Sequence, residues 1–153
     1  MPINYADRAE ALFRKGYNCA QSVFAAFADI LDMDESYALR LASSFGGGVG
    51  RLREICGAVS GMEMVCGVLY GYDTANDDTR KTEHYTRVQE LAFAFREKNG
   101  SFLCRELLGL SETHSSPIPS PRTAQYYKDR DCASFVRYAA ELMEAYIKTH
   151  PFA

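Results

Sequence analysis

From Ser43 to Tyr72 the chain reads SSFGGGVGRLREICGAVSGMEMVCGVLYGY, a stretch with eight of its eleven glycines and two of its five cysteines. The FGGGVGR run reads as a loop, since glycine permits positive φ and close backbone approach. The segment after it, from about Cys56 to Tyr70, is apolar nearly all round, the pattern of a helix buried at the centre of a bundle. Gly57, Gly61, Gly67 and Gly71 recur at spacings of four, six and four. On a central helix they let its neighbours pack tightly.

Helical periodicity fills the rest of the chain, and no segment alternates as a strand does. Tyr5 to Lys15 places Ala9, Leu12 and Phe13 on one side and stops at Gly16. Asn18 caps a second helix carrying Ala20, Val23, Phe24, Phe27, Ile30 and Leu31. Asp34 starts a third, with Tyr37, Ala38, Leu41 and Ala42 inward. Beyond the central helix, Asp77 or Asp78 caps the longest one. Its inner stripe is Tyr85, Val88, Leu91, Ala92 and Phe95, and Asn99-Gly100 ends it. Ser101 caps a short helix ending at Gly109, and residues 111–125, SETHSSPIPSPRTAQ, form a long loop. Asp129 or Asp131 begins the last helix. The expected fold is an all-α, single-domain bundle of about six to seven helices over residues 1–153, with a glycine-rich loop before a central buried helix.

Net charge is −3, so there is no electrostatic case for nucleic acid or an anionic membrane. No stretch reaches the uninterrupted apolar length of a membrane span; the best candidate, Ile55 to Tyr72, contains Glu63. The N-terminal MPINYADRAE lacks the apolar core of a signal peptide. The expected location is cytoplasmic, where thiols stay reduced, so the five cysteines are not read as a disulfide framework.

Four of them share one structural address. Cys19 follows the Asn18 cap, Cys56 opens the central helix, Cys104 lies just past Ser101, and Cys132 follows Asp131. A thiol in the first turn of a helix meets unpaired N–H groups and the positive end of the dipole, and is expected to have a lowered pKa. If consecutive helices alternate in direction, the second, fourth and sixth begin at one end of the bundle. The long loop then carries the chain back, so the last begins there too. Cys66, mid-helix, is read as core. The spacings between the four, 37, 48 and 28 residues, are unlike the local C-x2-C pairs of structural zinc sites. Four such thiols could hold a [2Fe–2S] cluster or zinc, or act as exchanging dithiols.

FGGGVGR is neither a P-loop, since no Gly-Lys-Ser/Thr follows, nor a dinucleotide fingerprint, since no strand precedes it. Gly47 and Gly48 are read as bringing backbone N–H groups close to the sulfur site. Arg51 and Arg53 are read as stabilising a thiolate at Cys56 or attracting an anionic ligand. Gly47, Gly48 and Arg51 are therefore the candidate cofactor-binding residues. Glu63 lies seven residues, two helical turns, after Cys56 and hence on the same face; it reads as a proton acceptor or metal ligand, or as a charge at the helix edge paired with an arginine. His84, His114 and His150 are scattered in polar surroundings.

The segments NCAQSVFAAF, FGGGVGR, CGAVSG, FLCRELLG and DCASFV, in that order, resemble the family named for its C_GCAxxG_C_C pattern and described as redox-active. The resemblance covers nearly the whole chain and places the family cysteines on Cys19, Cys56, Cys104 and Cys132. Here residues 56 to 61 read C-G-A-x-x-G, with cysteine and glycine in the reverse order of the family label.

The expected function is redox or electron-transfer chemistry by these four cysteines, as a thiol/disulfide pair or an iron–sulfur centre. The rival reading is a non-enzymatic metal-binding module, with zinc or iron, or a sensor. Either would serve a redox partner protein or a small molecule, and a homodimer is compatible with both.

Overall fold

The structure, a computed structural model, describes residues 2–152. Among them it is all-α without a sheet. Eight α-helices follow in order: α1 Tyr5–Arg14, α2 Cys19–Ala26, α3 Glu35–Ala42, α4 Gly57–Tyr70, α5 Asp78–Asn99, α6 Cys104–Leu107, α7 Ala124–Asp129 and α8 Cys132–Thr149.

Single polar side chains set most of the helix starts. Asn4 accepts from the Asp7 N–H at 3.0 Å, Asp34 from Tyr37 at 3.2 Å and Asp77 from Arg80 at 3.0 Å. At α2 the cap is reciprocal: Asn18 Oδ1 accepts from the Gln21 N–H at 2.9 Å, and Gln21 Oε1 accepts from the Asn18 N–H at 3.1 Å. Gly100, with φ of 88°, stops α5. The observed α2 is shorter than its apolar pattern. It tightens into turns after Ala26, yet Phe27, Ala28 and Leu31 remain buried. Helix α7 lies in what reads as the end of the long loop, because Thr123 Oγ1 accepts from the Tyr126 N–H at 3.2 Å and nucleates a short helix.

The centre is a pair rather than one helix. Helix α2 packs on α1, α3, α4 and α8, while α4 packs on α2, α5 and α8. Their contact is close enough that a Cβ on Gly61 would lie 2.8 Å from the Ala20 carbonyl oxygen and 3.0 Å from Val23 Cβ. The outward residues correct two stripes read from the sequence. Tyr37 and Leu41 on α3 and Tyr85 on α5 are exposed, because small Ala38 and Ala42, and Leu91 with Phe95, make the buried contacts.

The α2–α4 contact gives a paired expectation. Gly61→Ala forces backbone apart and should destabilise by about 1–2 kcal/mol even after the gain in helix propensity. Gly67→Ala, on the same helix where the added methyl meets nothing within 4 Å, should stabilise by roughly 0.5–1 kcal/mol. Chemical denaturation of the two variants checks the signs; two equal shifts would show that α2 and α4 are not in this contact.

The glycine loop has an unusual backbone. Gly47, Gly48, Val49, Gly50 and Arg51 all have positive φ, between 57° and 70°. They form one left-handed turn, closed by Arg53 N–H to Gly47 O at 3.2 Å and Glu54 N–H to Gly48 O at 2.9 Å. Left-handed backbone costs about 1–2 kcal/mol at each residue with a Cβ, and Val49 and Arg51 carry that strain. At Gly48 a side chain is also barred by space: a Cβ would lie 2.6 Å from the Glu54 nitrogen.

Candidate functional site

Cys19, Cys104 and Cys132 are the first residues of α2, α6 and α8, and Cys56 is the residue capping α4. All four line one cavity of about 60 Å3. Phe13, Leu107, Leu108 and Phe135 supply its apolar wall, and Arg53, Arg122, Arg130 and Tyr126 its polar side. Cys66 lies elsewhere, buried in mid-α4.

Two local devices hold the sulfurs there. Gly57 lets the start of α4 press against α2, where a Cβ would lie 3.1 Å from Cys19 Cβ. A two-segment bridge ties Cys56 to Cys104: the Cys56 N–H donates to Phe102 O at 2.8 Å and the Cys104 N–H to Glu54 O at 2.6 Å. This bridge, around Ile55 and Leu103, is too short to leave an alternating pattern in the sequence.

The thiols are not equivalent. Cys19 acts as hydrogen-bond donor to Cys132, which raises its own pKa well above the ordinary thiol value, and burial adds to this. The same hydrogen bond holds Cys132 below the ordinary value. The Arg130, Arg122 and Arg53 guanidiniums favour its thiolate further, against burial. Burial pushes Cys56 up to about 12; the Ala58 and Val59 amides partly offset this without closing a capping hydrogen bond. Burial also raises Cys104, although the Arg53 guanidinium donates to its sulfur at 3.5 Å. A helix start therefore does not lower a thiol pKa by itself. Only Cys132, which accepts the Cys19 hydrogen bond and faces three arginines, goes down.

Among the described residues, no three Cys, His, Asp or Glu side chains are grouped so as to hold a metal ion. The four thiols share a cavity without being gathered as ligands round one ion.

The other sequence candidates fall as follows. Gly47 lines the thiol cavity and a larger vestibule of about 290 Å3, and Arg51 lines the vestibule. Gly48 lines neither; it lets the chain pass Glu54. Arg53, 2% exposed, points to Cys104 rather than to Cys56. Glu63 lines neither the thiol cavity nor the vestibule. Cys56 has extended backbone, φ −52° and ψ 132°, so helical spacing does not carry from it to Glu63. Instead Glu63 meets a cavity lined by Ile55, Val59, Val88, Ala92 and Phe102, and both its carboxyl oxygens are buried without a hydrogen-bond partner. His84 contacts Arg87 at 3.1 Å, away from the thiols. Arg122, Tyr126 and Arg130 escape a reading by sequence. Arg130 alone left a trace, standing two residues before Cys132.

No helix among the described residues is long and apolar enough to cross a membrane. Residues 17–146 match the family model described as "Putative redox-active protein (C_GCAxxG_C_C)". No curated protein and no solved structure matches the chain. The matched span contains the four thiols of the cavity and most of the chain, and the protein belongs to the C_GCAxxG_C_C family of redox-active proteins.

Proposed function

We propose that the protein works by thiol–disulfide chemistry, with Cys132 as the attacking thiolate and Cys19 as its resolving partner. The observation that carries this reading is the unequal pair. Cys19 and Cys132 open α2 and α8 on one small cavity, and Arg53, Arg122 and Arg130 line that cavity and favour the Cys132 thiolate. The attacking sulfur must be thiolate, and the second must lie within reach to complete the exchange. In the oxidising half-reaction the two thiols lose two protons and two electrons to an acceptor and form one S–S bond. Cys56 and Cys104 line the same cavity, with burial keeping them protonated.

The test is a pH profile of iodoacetamide labelling, read by peptide mass spectrometry. Cys132 should label first, with an apparent pKa below the free value of about 8.5. Cys19, Cys56 and Cys104 should lag by at least about tenfold at pH 7. Mild oxidation with diamide, which takes up the two electrons and two protons, should give a Cys19–Cys132 disulfide. Labelling of Cys132 no faster than the others, or a disulfide between other cysteines, would overturn the assignment. Stoichiometric zinc, or iron with inorganic sulfide, in anaerobically purified protein would assign the four thiols to a metal centre instead.

A further inference from the structure

The vestibule in front of the thiol cavity collects positive charge. Arg51, Arg53, Arg122 and Arg130 all line it, and three of them also line the thiol cavity. Elsewhere Arg8, Arg14, Arg80, Arg105 and Arg137 each pair with a carboxylate within 4 Å, and Arg40, Arg87 and Arg96 do not; what sets the vestibule apart is four guanidiniums on one space. None of the four vestibule arginines takes part in an ion pair among the described residues. None of their hydrogen bonds goes to a carboxylate: Arg51 donates to Ser116 O at 2.7 Å and Ser120 Oγ at 3.3 Å, Arg53 to Ser115 Oγ at 2.9 Å and Cys104 Sγ at 3.5 Å, Arg122 to Phe13 O at 2.8 Å, Tyr17 O at 2.9 Å and Tyr127 Oη at 3.3 Å, and Arg130 to Ser120 Oγ at 3.5 Å, while aromatic rings lie under Arg122 and Arg130. Glu112, the carboxylate whose charge reaches Arg51, accepts from Ser115 instead.

The grouping has no carboxylate counter-ion within 4 Å among the described residues. Burial and the neighbouring Arg53 and Arg130 guanidiniums push the Arg51 pKa down. Each guanidinium has five N–H donors, and the bonds above leave several unused. A protein with net charge −3 nevertheless keeps four cations together at the entrance to its thiols. The left-handed turn holds two of them: Arg51, and beyond it Arg53, have φ of 69° and 60°.

We infer that the vestibule is the seat of the substrate's anionic group, and that the substrate is a small disulfide carrying carboxylate, sulfonate or phosphate. This rests on the thiol–disulfide reading above. The size of the two spaces supports it. A cavity of about 60 Å3 at the sulfurs admits a narrow aliphatic S–S segment, and the adjoining space of about 290 Å3 admits the charged end. In the exchange the Cys132 thiolate attacks one substrate sulfur, forming a mixed disulfide and releasing the first substrate thiolate. Cys19 then attacks the Cys132 sulfur, forming the protein disulfide and releasing the second. The two substrate thiolates take up the two protons from Cys132 and Cys19, so one substrate disulfide becomes two thiols and the dithiol becomes one disulfide.

Three aliphatic disulfides of similar length separate charge from chemistry: dithiodipropionate, with two carboxylates; bis(2-hydroxyethyl) disulfide, neutral; and cystamine, with two ammonium groups. The rate of Cys19–Cys132 oxidation by each is divided by its rate with a free small thiol. The corrected order should be anionic, neutral, cationic, with at least about tenfold between the extremes. The spread should shrink in 1 M salt, where screening acts over about 3 Å. Arg51→Gln and Arg130→Gln should each narrow it, and Arg80→Gln, on α5, should not. Equal corrected rates, or a spread unaffected by salt and by both variants, would overturn the inference. If no disulfide oxidises the pair, the thiol–disulfide reading fails, and the vestibule is judged separately by calorimetric titration of Cys132→Ser protein with sulfate. Sulfate binding that weakens in the added Arg51→Gln change would keep the anion site, and absence of binding would remove it.

Discussion

Oxidation of Cys19 and Cys132 should raise the melting temperature of the protein by roughly 8–14 °C. The bond would join the start of α2 to the start of α8, closing a loop of just over a hundred residues. Closing such a loop removes conformational entropy from the unfolded chain worth about 4–5 kcal/mol. For a chain of this size each kcal/mol moves the midpoint by about 2–4 °C. Strain in the folded state would reduce the gain, which is why the lower half of the range is expected. Circular dichroism melts of diamide-treated and reduced protein, with Cys19→Ser as control, measure it. No rise, or a rise that survives in Cys19→Ser, would mean that these two sulfurs are not positioned to join. By linkage, folding favours this disulfide over that of an unstructured dithiol by the same free energy.

Replacing Glu63 by methionine should stabilise the protein, and by more at higher pH. Burial without a partner raises the Glu63 pKa from 4.5 to about 8. Below about pH 4.5 the carboxyl is protonated both folded and unfolded, and costs little beyond its missing hydrogen bonds. Between there and pH 8 the unfolded chain gives up the proton while the folded one keeps it, so wild-type stability falls as pH rises. Above pH 8 the loss is constant. A pKa unit is worth about 1.4 kcal/mol, and with partial solvent access the gain for Glu63→Met is roughly 3 kcal/mol at pH 8, shrinking toward pH 5. Denaturation of both proteins at pH 5 and pH 8 checks it. A gain equal at the two values would mean that the carboxyl is not held neutral by burial. Loss of redox activity with intact stability would show that this group, though outside the thiol cavity, serves the reaction.

The readable part of the fold was the part written in local side chains. Asn18 with Gln21, Asp34 and Asp77 each begin a helix by accepting nearby backbone N–H groups, and Gly100 ends one, so these boundaries survive without tertiary context. The gathering of Cys19, Cys56, Cys104 and Cys132 could be anticipated because helix starts and a long return loop limit the ways of arranging the bundle. Electrostatics could not be read the same way. The dipole argument treats all four thiols alike, whereas burial raises all of them and only Cys132 is brought down, by the Cys19 hydrogen bond and by Arg130 and Arg122, groups whose placement beside it depends on the whole fold. Glu63 shows the same dependence. Its expected alignment with Cys56 assumed a regular helix through a residue whose backbone is extended.

The Ile55–Leu103 bridge and the meeting of four helix starts also make the sulfur site indivisible. A C-x2-C knuckle carries its chemistry within a short peptide and can be moved between proteins as a piece. Here the wall of the cavity is shared among α2, α4, α6 and α8, and no contiguous fragment shorter than most of the chain contains it. Duplication or shuffling of part of the gene would transfer cysteines without a site. The unit that can be inherited, fused to another domain or grafted into a design is the entire bundle.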